Sequence, residues 1–314
     1  MKFTRLLLIL RRNKEARLGV AILLMAASFA CSGNKASGSS GAAGPMPAPD
    51  AIKVVAVENF YGDIVHQLGG SHVDVTIIIS DPNADPHEYE SSSDNAKAIA
   101  AAKLVVENGV GYDTFIDKLL AASPNQGRAV INAGALLGKK EGDNPHVWYS
   151  VAAVAQIADR ITSALEQIDA ANQTEFASRN GDFKSTLQPI SNKISAMKAT
   201  YGGSHLTQTE PVFGYMGDDL GLKIDDGEYQ HAVEEGTDPS PQSVAAINRE
   251  LTNHEVKALL YNSQTSTPAT KKLRDLATQK KVPIVGVSEL EPKGKTYQQW
   301  MLSQLDTLQK ALGG

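Results

Sequence analysis

The chain of 314 residues is 42% hydrophobic and 21% charged, and its formal net charge is −5 at pH 7. This acidic balance argues against nucleic acid as a partner, because proteins that bind nucleic acid present a basic surface. The single cysteine, Cys31, excludes an intrachain disulfide and a thiolate metal cluster.

Residues 1–30 have the pattern of a signal peptide. Basic residues extend as far as Arg17, and the apolar run 18–30 follows them. This run is shorter than the roughly 20 apolar residues of a transmembrane helix, so we predict an export signal that is removed. Its removal leaves a mature chain that is more acidic than the full sequence.

Cys31 directly follows the apolar run, which makes it a candidate for lipidation. Ser28-Phe29-Ala30 before it resembles a bacterial lipoprotein processing site, although leucine is more usual where Ser28 stands. The alternative is cleavage by an ordinary signal peptidase, which leaves Cys31 unmodified. Residues 31–50 are rich in Ser, Gly, Ala and Pro and are predicted to be a flexible tether. We therefore expect an exported protein of the cell envelope or periplasm, anchored to the membrane through an N-terminal lipid.

Residues 51–171 are predicted to form a first α/β lobe. Short apolar runs of strand type alternate with helical patterns, which is the rhythm of βαβ units and parallel sheets. Ligands bind such sheets in the crevice beyond the carboxyl ends of the strands. The predicted strands are 52–57, 73–79, 104–107 and 129–132, with helices that begin near Tyr61, Asp94 and Tyr112 and a further helix over 151–168.

Residues 172–202 are predicted to form one long helix. Apolar residues recur along it at three- and four-residue steps, and Gly202 and Gly203 end the pattern. About 30 residues at 1.5 Å rise per residue extend about 45 Å, which is longer than a small lobe is wide. We expect this helix to join two lobes, with Gly181 and Pro189 as points where it can bend.

Residues 203–314 repeat the alternation of strands and helices and are predicted to form a second lobe. The fold class is therefore α/β, with two lobes that each contain a mainly parallel sheet flanked by helices and that are joined by one long rigid helix. The predicted strands are 205–209, 256–261 and 282–287, and the predicted helices are 212–220, 241–252, 268–279 and 297–312.

Two matching phrases each place a histidine directly after a proline. They are Asp85-Pro86-His87-Glu88-Tyr89 and Asn144-Pro145-His146-Val147-Trp148. Proline restricts the backbone beside it, so each imidazole is presented in a fixed direction. Histidine is the commonest metal ligand among side chains, and the pair therefore predicts one transition-metal site. The alternative is that each is an ordinary loop histidine held by a backbone hydrogen bond.

Two glutamates follow strands of the second lobe, where α/β sheets present ligand groups. They are Glu210, before Pro211, and Glu289, after the strand 282–287. Two imidazoles and two carboxylates suit Zn(II), Mn(II) or Fe(II), and four protein ligands leave no open position for catalysis. Each glutamate has an alternative role as a solvated carboxylate at a helix N-terminus. His231 is an alternative to Glu289 as the fourth ligand.

The chain resembles the metal-binding solute proteins of bacterial ABC importers for zinc and manganese, a family that includes lipoproteins described as adhesins. The resemblance extends from about Ile52 to the C-terminus. Besides the two histidine phrases, it rests on Glu210-Pro211-Val212-Phe213-Gly214-Tyr215, Glu234-Glu235-Gly236-Thr237-Asp238-Pro239-Ser240, and Val287-Ser288-Glu289 before Lys295-Thr296-Tyr297.

The resemblance implies two α/β lobes bridged by a long helix, with the metal in the cleft between them. It implies His87 and His146 as ligands from the first lobe and Glu210 and Glu289 from the second. The position of Glu210 is histidine in many zinc-type members and glutamate in many manganese-type ones. The last position is commonly aspartate, so Glu289 is a departure. The metal remains Zn(II) or Mn(II).

We expect a non-enzymatic, monomeric receptor that captures the metal and delivers it to an ABC permease with a separate ATPase subunit. The chain lacks a phosphate-binding loop and lacks an apolar segment long enough to span a membrane after residue 30. Because imidazole binds metal only when deprotonated, affinity is expected to fall as the pH drops. The alternatives are a metal-stabilised adhesin or structural lipoprotein and, with Glu210 as general base, a zinc hydrolase that lacks the usual His-Glu-x-x-His helix.

Overall fold

The computed structural model describes residues 46–86, 89–225 and 227–313. The predicted signal peptide, the lipidation candidate Cys31 and most of the predicted tether lie outside the described residues. The predicted ligand His87 also lies outside them. None of the helices within the described ranges combines the length and the apolar character that crossing a membrane requires.

The first lobe contains a parallel four-stranded sheet with the strand order β2-β1-β3-β4. The two central strands are almost entirely apolar and buried, as expected for strands that helices cover on both faces. This confirms the predicted parallel sheet. The strands are β1 (Ile52–Glu58), β2 (Val73–Ile79), β3 (Leu104–Glu107) and β4 (Ala129–Asn132).

Five α-helices of the described residues accompany this sheet, and side-chain caps mark where three of them begin, one being Asn132, which accepts a hydrogen bond from the backbone of Ala135 at the start of the fourth. Ser92 accepts a hydrogen bond from the backbone of Asn95, whose side chain binds back to Ser92 and so completes a capping box. Ser150 caps the fifth helix in the same way through Ala153. The helices are α1 (Asn59–Gly69), α2 (Ser93–Ala101), α3 (Phe115–Ala122), α4 (Ala133–Leu136) and α5 (Val151–Ile168).

Helix α3 begins at Phe115, later than the predicted start at Tyr112. The chain before it turns through three residues with positive φ: Gly109 at 74°, Val110 at 60° and Gly111 at 83°. Two glycines tolerate this conformation without strain, and the turn delays the helix. The delay leaves Tyr112 in the turn, at the carboxyl end of the sheet.

The predicted long helix is α6 (Gln173–Tyr201), with 29 residues. It continues through both Gly181 and Pro189, and Pro189 is exposed. Its apolar stripe packs against α1 and α5 of the first lobe and against the last helix of the chain, α11 (Tyr297–Gly313). The helix therefore contacts elements that flank both sheets.

The second lobe contains another parallel four-stranded sheet, with the order β6-β5-β7-β8. Strand β6 has two residues and was not predicted, because so short a pairing leaves no pattern in the sequence. Strand β7 begins later than predicted and ends at Asn262. The strands are β5 (His205–Gln208), β6 (Lys223–Ile224), β7 (Leu259–Asn262) and β8 (Ile284–Val287).

The helices of the second lobe include one that the sequence did not predict. This helix, α8, buries only Tyr229, Gln230 and Val233 and has no long apolar stripe. The predicted helix 212–220 is a 3₁₀ turn, Pro211–Phe213, followed by the short helix α7. The remaining bounds are α7 (Gly214–Asp219), α8 (Gly227–Glu234), α9 (Pro241–Thr252) and α10 (Pro268–Lys280).

Hydrogen bonds fasten helix α1 of the first lobe to the segment between β8 and α11. The Asn59 side chain donates to the backbone oxygen of Glu291 at 2.8 Å and accepts from its backbone N–H at 2.9 Å. Asp63 accepts a hydrogen bond from the backbone N–H of Tyr297 at 2.8 Å, at the start of α11. These contacts hold the two sheets in one arrangement, with the chain after β8 close to the first lobe.

Replacing Phe183 by alanine tests the packing of α6. The side chain is 2% exposed, so Phe183→Ala is expected to lower the free energy of unfolding by about 3–5 kcal/mol. Chemical denaturation measures this change. Asp182→Ala, at the exposed neighbouring position, is the control and should change the value by less than about 0.5 kcal/mol. Equal stability of the two variants would contradict the observed packing.

Candidate metal centre

His146 lies in a tight turn just before the 3₁₀ helix Val147–Tyr149 and is fully buried. The Asn144 side-chain oxygen is 2.8 Å from its Nδ1 and 3.0 Å from its backbone nitrogen. An acceptor at this position places the imidazole proton on Nδ1 and leaves the lone pair on Nε2. Within the described residues, Nε2 has no hydrogen-bond partner. The nitrogen is therefore oriented and available as a metal ligand.

Aromatic rings surround this imidazole. The ring of Trp148 lies 5.0 Å from that of His146, and the ring of Tyr112 lies 5.9 Å away. Trp148 also stacks on Phe60 at 4.5 Å. Such rigid apolar neighbours fix the imidazole plane and lower the local dielectric constant, which strengthens any bond between Nε2 and a cation. Trp148 thus packs between the His146 imidazole and the core residue Phe60.

The turn that carries His146 is itself held by residues at the end of β3. Asn108 donates a side-chain hydrogen bond to the carbonyl of Pro145 at 3.0 Å. Asp113 accepts hydrogen bonds from the backbone N–H of Asn108 at 2.7 Å and from that of Gly109 at 2.8 Å. The segment that follows strand β3 therefore helps to fix the position of the His146 imidazole.

Glu289 follows β8 and is fully buried. Its Oε2 lies 3.7 Å from His146 Nε2, although the two residues come from different lobes. The same oxygen accepts a 2.8 Å hydrogen bond from the Tyr112 hydroxyl. The pKa of Tyr112 is raised well above its usual 10, mainly because the side chain is buried and secondly because the charge of Glu289 is close. The hydroxyl therefore remains a hydrogen-bond donor.

Glu210 lies between β5 and the turn Pro211–Phe213 and is 1% exposed. The side-chain amide of Asn262, at the end of β7, donates one hydrogen bond to Glu210 Oε2 and another to Glu289 Oε1 at 2.6 Å. One amide therefore joins the two predicted carboxylate ligands. Sequence reasoning did not identify Asn262, because the contact depends on the pairing of β7 with β5 and β8.

Glu234 is a second residue that the sequence did not single out as a ligand. It ends α8, its side chain is 8% exposed, and its Oε2 lies 3.9 Å from His146 Nε2. Its only signal in the sequence is its place at the start of the Glu234–Ser240 phrase. The structure thus brings a third carboxylate toward the imidazole.

These separations are slightly wider than those between two ligands of one metal. Donor atoms about 2.0–2.1 Å from a tetrahedral zinc ion are about 3.4 Å from each other. Among residues 46–86, 89–225 and 227–313, no group of three or more His, Cys, Asp or Glu side chains could hold a metal ion as they stand. The described residues bring together His146, Glu210 and Glu289, and the fourth predicted ligand, His87, lies outside them.

His231, the alternative ligand, and His205 are both exposed. His231 is exposed on α8 and lines a cavity of about 260 Å³, together with Tyr112 and Glu234. His205 is also exposed, and its nearest carboxylate is that of Asp225 at 3.9 Å. Glu289 is thus buried and close to His146, whereas its predicted alternative His231 is exposed.

A larger cavity, about 900 Å³, is lined by none of His146, Glu210 and Glu289. It lies beside Asp63 and Glu291, where α1 meets the chain after β8. Burial raises the pKa of Glu291 to about 10 and that of Asp63 to about 6. The smaller cavity, beside Tyr112 and Glu234, is likewise lined by none of these three predicted ligands.

Three further carboxyl groups are buried behind the site, at the ends of β1 and β3: Glu58, Glu107 and Asp113. Burial is the main reason that the pKa of each is raised, and their mutual repulsion adds to the effect for Glu58 and Glu107. The pKa of Glu107 rises to about 7. Burial thus makes each of these groups easier to protonate than an exposed carboxyl group.

The family described as zinc-uptake complex component A, periplasmic, matches residues 54–311. The chain belongs to this family. The match covers most of both lobes and confirms the resemblance that the histidine and glutamate phrases indicated.

Relatives and solved structures agree with this assignment. The manganese-binding lipoprotein MntA of Bacillus subtilis (strain 168) is 23% identical over 316 residues, which cover 94% of this chain and 99% of MntA. The manganese ABC transporter substrate-binding lipoprotein PsaA of Streptococcus anginosus is 23% identical over 326 residues, covering 96% and 99%. The periplasmic zinc-binding protein TroA from Treponema pallidum has a TM-score of 0.70 at 18% identity, covering 86% of this chain and 99% of TroA. The last similarity confirms the predicted two-lobed fold.

The hydrogen bond between Asn144 and His146 gives a first test of the site. Asn144→Ala removes the acceptor that fixes the imidazole, so the affinity for Zn(II) is expected to fall about 10- to 100-fold. Asn144→Asp keeps an acceptor toward Nδ1 but loses the amide that donates to the Pro211 carbonyl at 2.8 Å, so its affinity should fall less than that of Asn144→Ala. Competition with a chelating dye measures both values. Equal losses in the two variants would contradict the proposed orientation.

The raised pKa of Glu107 predicts a specific dependence of stability on pH. Because the folded state binds this proton more tightly than the unfolded chain, the free energy of unfolding should fall as pH rises from about 4.5 to about 7. Glu107→Gln removes the titration but keeps an acceptor for Asn132. The free energy of unfolding of Glu107→Gln minus that of the wild type should therefore be about 2–3 kcal/mol larger at pH 8 than at pH 4.5.

Urea denaturation at both pH values measures this difference. Glu255→Gln, which changes an exposed carboxylate of the second lobe, is the control and should show no comparable gain. A constant difference between Glu107→Gln and the wild type at the two pH values would rule out a raised pKa.

Proposed function

We propose that this chain is the extracytoplasmic solute-binding component of an ABC importer and that its cargo is a divalent transition metal, Zn(II) or Mn(II). The observation that carries the proposal is the approach of Glu289 Oε2 to His146 Nε2, 3.7 Å apart across the two lobes. Both atoms are buried, and hydrogen bonds orient both side chains. A cation between them would bind to each lobe.

The proposed ligands are His87, His146, Glu210 and Glu289. His87 rests on its motif, and the other three on the geometry of the described residues. Buried carboxylates repel each other and are poorly solvated, so a dication that binds them removes an electrostatic penalty. Imidazole and carboxylate together suit zinc and manganese rather than a metal that prefers sulfur.

Four protein ligands favour metal holding over catalysis, because a catalytic zinc site keeps one position open for water or substrate. The names of the relatives also describe binding lipoproteins of transport systems, which favours capture over the adhesin and hydrolase alternatives. We infer that the chain binds its metal without chemical change. The metal then passes to a permease driven by a separate ATPase.

The two-lobed architecture supports a route for release. We assign the lobes to residues 51–171 and 203–314 and the linking helix to residues 172–202. Because the ligands come from both lobes, a small displacement of one lobe lengthens bonds on one side of the metal only. Binding to the permease can therefore weaken the site without unfolding either lobe.

We further propose that the chain is exported, loses residues 1–30 and is anchored to the membrane as a lipoprotein through Cys31, in the cell envelope or periplasm. The relatives MntA and PsaA are named as lipoproteins, which supports this assignment. The anchor would leave a monomeric two-lobed receptor at the end of the tether 31–50, close to the membrane-embedded permease.

Metal binding by ligand variants tests this function. Elemental analysis and titration of the mature wild-type chain should give one Zn(II) or Mn(II) per chain. His87→Ala and His146→Ala should each lower the affinity more than about 100-fold, because each removes a ligand. Glu210→Gln and Glu289→Gln should weaken binding as well, since each loses a charge that faces the cation.

His205→Ala, which changes an exposed histidine, is the control and should bind like the wild type. Undiminished stoichiometric binding by both histidine variants would refute the site. In cells, deletion of the gene should abolish high-affinity metal uptake, and excess metal or the wild-type gene should restore growth. Normal uptake in the deletion strain would favour a purely structural role.

A further inference from the structure

Two side-chain amides connect the lobes beside the proposed ligands. One belongs to Asn144, just before His146, and the other to Gln264, just after β7. Both side chains are half-buried. Each amide uses its oxygen within its own lobe and its nitrogen on the opposite lobe, and we call the two side chains the bridging amides.

The amide of Asn144 connects the His146 phrase to the second lobe. Its oxygen lies 2.8 Å from His146 Nδ1 and accepts a hydrogen bond from the backbone N–H of His146 at 3.0 Å. Its nitrogen donates to the backbone carbonyl of Pro211, after β5, at 2.8 Å. The Tyr215 hydroxyl of the second lobe also donates to the backbone oxygen of Asn144 at 2.8 Å. The residue that orients the imidazole is therefore itself held by the other lobe.

The amide of Gln264 has the same arrangement with the lobes exchanged. Its oxygen accepts hydrogen bonds from the backbone N–H groups of Glu289 and, at 3.3 Å, Leu290. Its nitrogen donates to the backbone carbonyl of Pro82, which follows β2 of the first lobe, at 2.6 Å. The segment that carries Glu289 is therefore held by an amide that the first lobe contacts.

The contacts determine the orientation of both bridging amides. In each, the oxygen faces a backbone N–H group and the nitrogen faces a backbone carbonyl, so rotation by 180° would place like groups against each other. An amide group is planar, and its oxygen and nitrogen turn together. Separation of the lobes would break the bond from the nitrogen, and the oxygen would lose its fixed direction.

We propose that Asn144 and Gln264 are positioning residues that couple the placement of His146 and Glu289 to the closure of the lobes. This inference rests on the proposed function, since it takes these two side chains as metal ligands. Closed lobes complete both N–H···O=C bonds and hold both ligand segments. Separated lobes break both bonds, so that a ligand of each lobe loses its orientation in one movement and the metal is released.

A double-variant cycle tests the coupling. Asn144→Ala and Gln264→Met, which keeps a side chain of similar length, should each lower the Zn(II) affinity about tenfold or more in competition with a chelating dye. Independent positioning would make the two losses multiply. If both amides depend on the same closure, loss of one loosens the lobes and already weakens the other. The double variant should therefore lose less than the product of the single losses, by at least about threefold.

The closure itself is measured without metal. Spin labels are attached through Lys118→Cys on α3 and Lys271→Cys on α10, both exposed positions, in the mature chain with Cys31→Ser. Pulsed electron paramagnetic resonance then gives the distribution of distances between the lobes. Asn144→Ala and Gln264→Met should each broaden this distribution, whereas residues that only orient a ligand within one lobe would leave it unchanged.

Gln298→Met is the matched control. Gln298 is a buried glutamine of α11 whose amide donates to Gln67 at 2.9 Å and to Thr186 at 2.8 Å. These partners lie on α1 and α6 rather than on the segments of His146 and Glu289. The Zn(II) affinity of this variant should stay within about threefold of the wild type. A loss as large as that of Gln264→Met would assign the effect to any contact between the lobes and overturn the proposal.

Tyr215→Phe keeps the aromatic ring and removes only the hydroxyl that binds Asn144, so it supplies a milder second variant. Its Zn(II) should dissociate at least about threefold faster than that of the wild type when a chelator is added in excess. Circular dichroism verifies that each variant is folded. If the alanine and methionine variants do not fold, an unchanged dissociation rate in Tyr215→Phe overturns the coupling.

The outcomes separate this inference from the proposed function. A wild-type chain that binds no Zn(II) overturns both. Where the wild type binds Zn(II), a double-variant loss equal to or larger than the product overturns the coupling alone. An unchanged distance distribution in both folded single variants also overturns the coupling and leaves the proposed function in place.

Discussion

The approach of a second-lobe carboxylate to a first-lobe imidazole is the constraint on which the rest of the site depends. Glu289 and His146 belong to different sheets, and their side chains are both fully buried. Such a contact requires a fixed arrangement of the lobes, which the α1 hydrogen bonds of Asn59 and Asp63 and the long helix α6 provide. The site therefore reports on the position of one lobe relative to the other.

Charge is the second constraint. Three carboxylates approach His146 or each other in a region of low dielectric constant, and two of the donors that contact them are neutral: the Tyr112 hydroxyl and the Asn262 amide. Neutral donors orient carboxylates without cancelling their charge, so a dication still gains strongly by binding. The acids behind the site, Glu58 and Asp113, also have raised pKa values because they are buried.

The sequence predicts the regular parts of the fold and the rigid histidine phrases, because these leave local patterns. Strand β2 and helix α5 have the predicted bounds, since alternation and helical spacing are strong there. Helix α8 and the roles of Tyr112 and Asn262 were not predicted. Their contacts arise from distant segments that meet only in the folded chain, and neither helical spacing nor a motif marks them.

In the proposed function, one metal ion binds between the two lobes at His146 and Glu289. Anomalous diffraction from crystals of the zinc-loaded chain, recorded on both sides of the zinc absorption edge, tests it most directly. One strong peak is expected about 2.0–2.1 Å from His146 Nε2 and within bonding distance of the Glu289 carboxylate. A stoichiometric zinc ion located elsewhere, with His146 Nε2 unbound, would rule out the interlobe site.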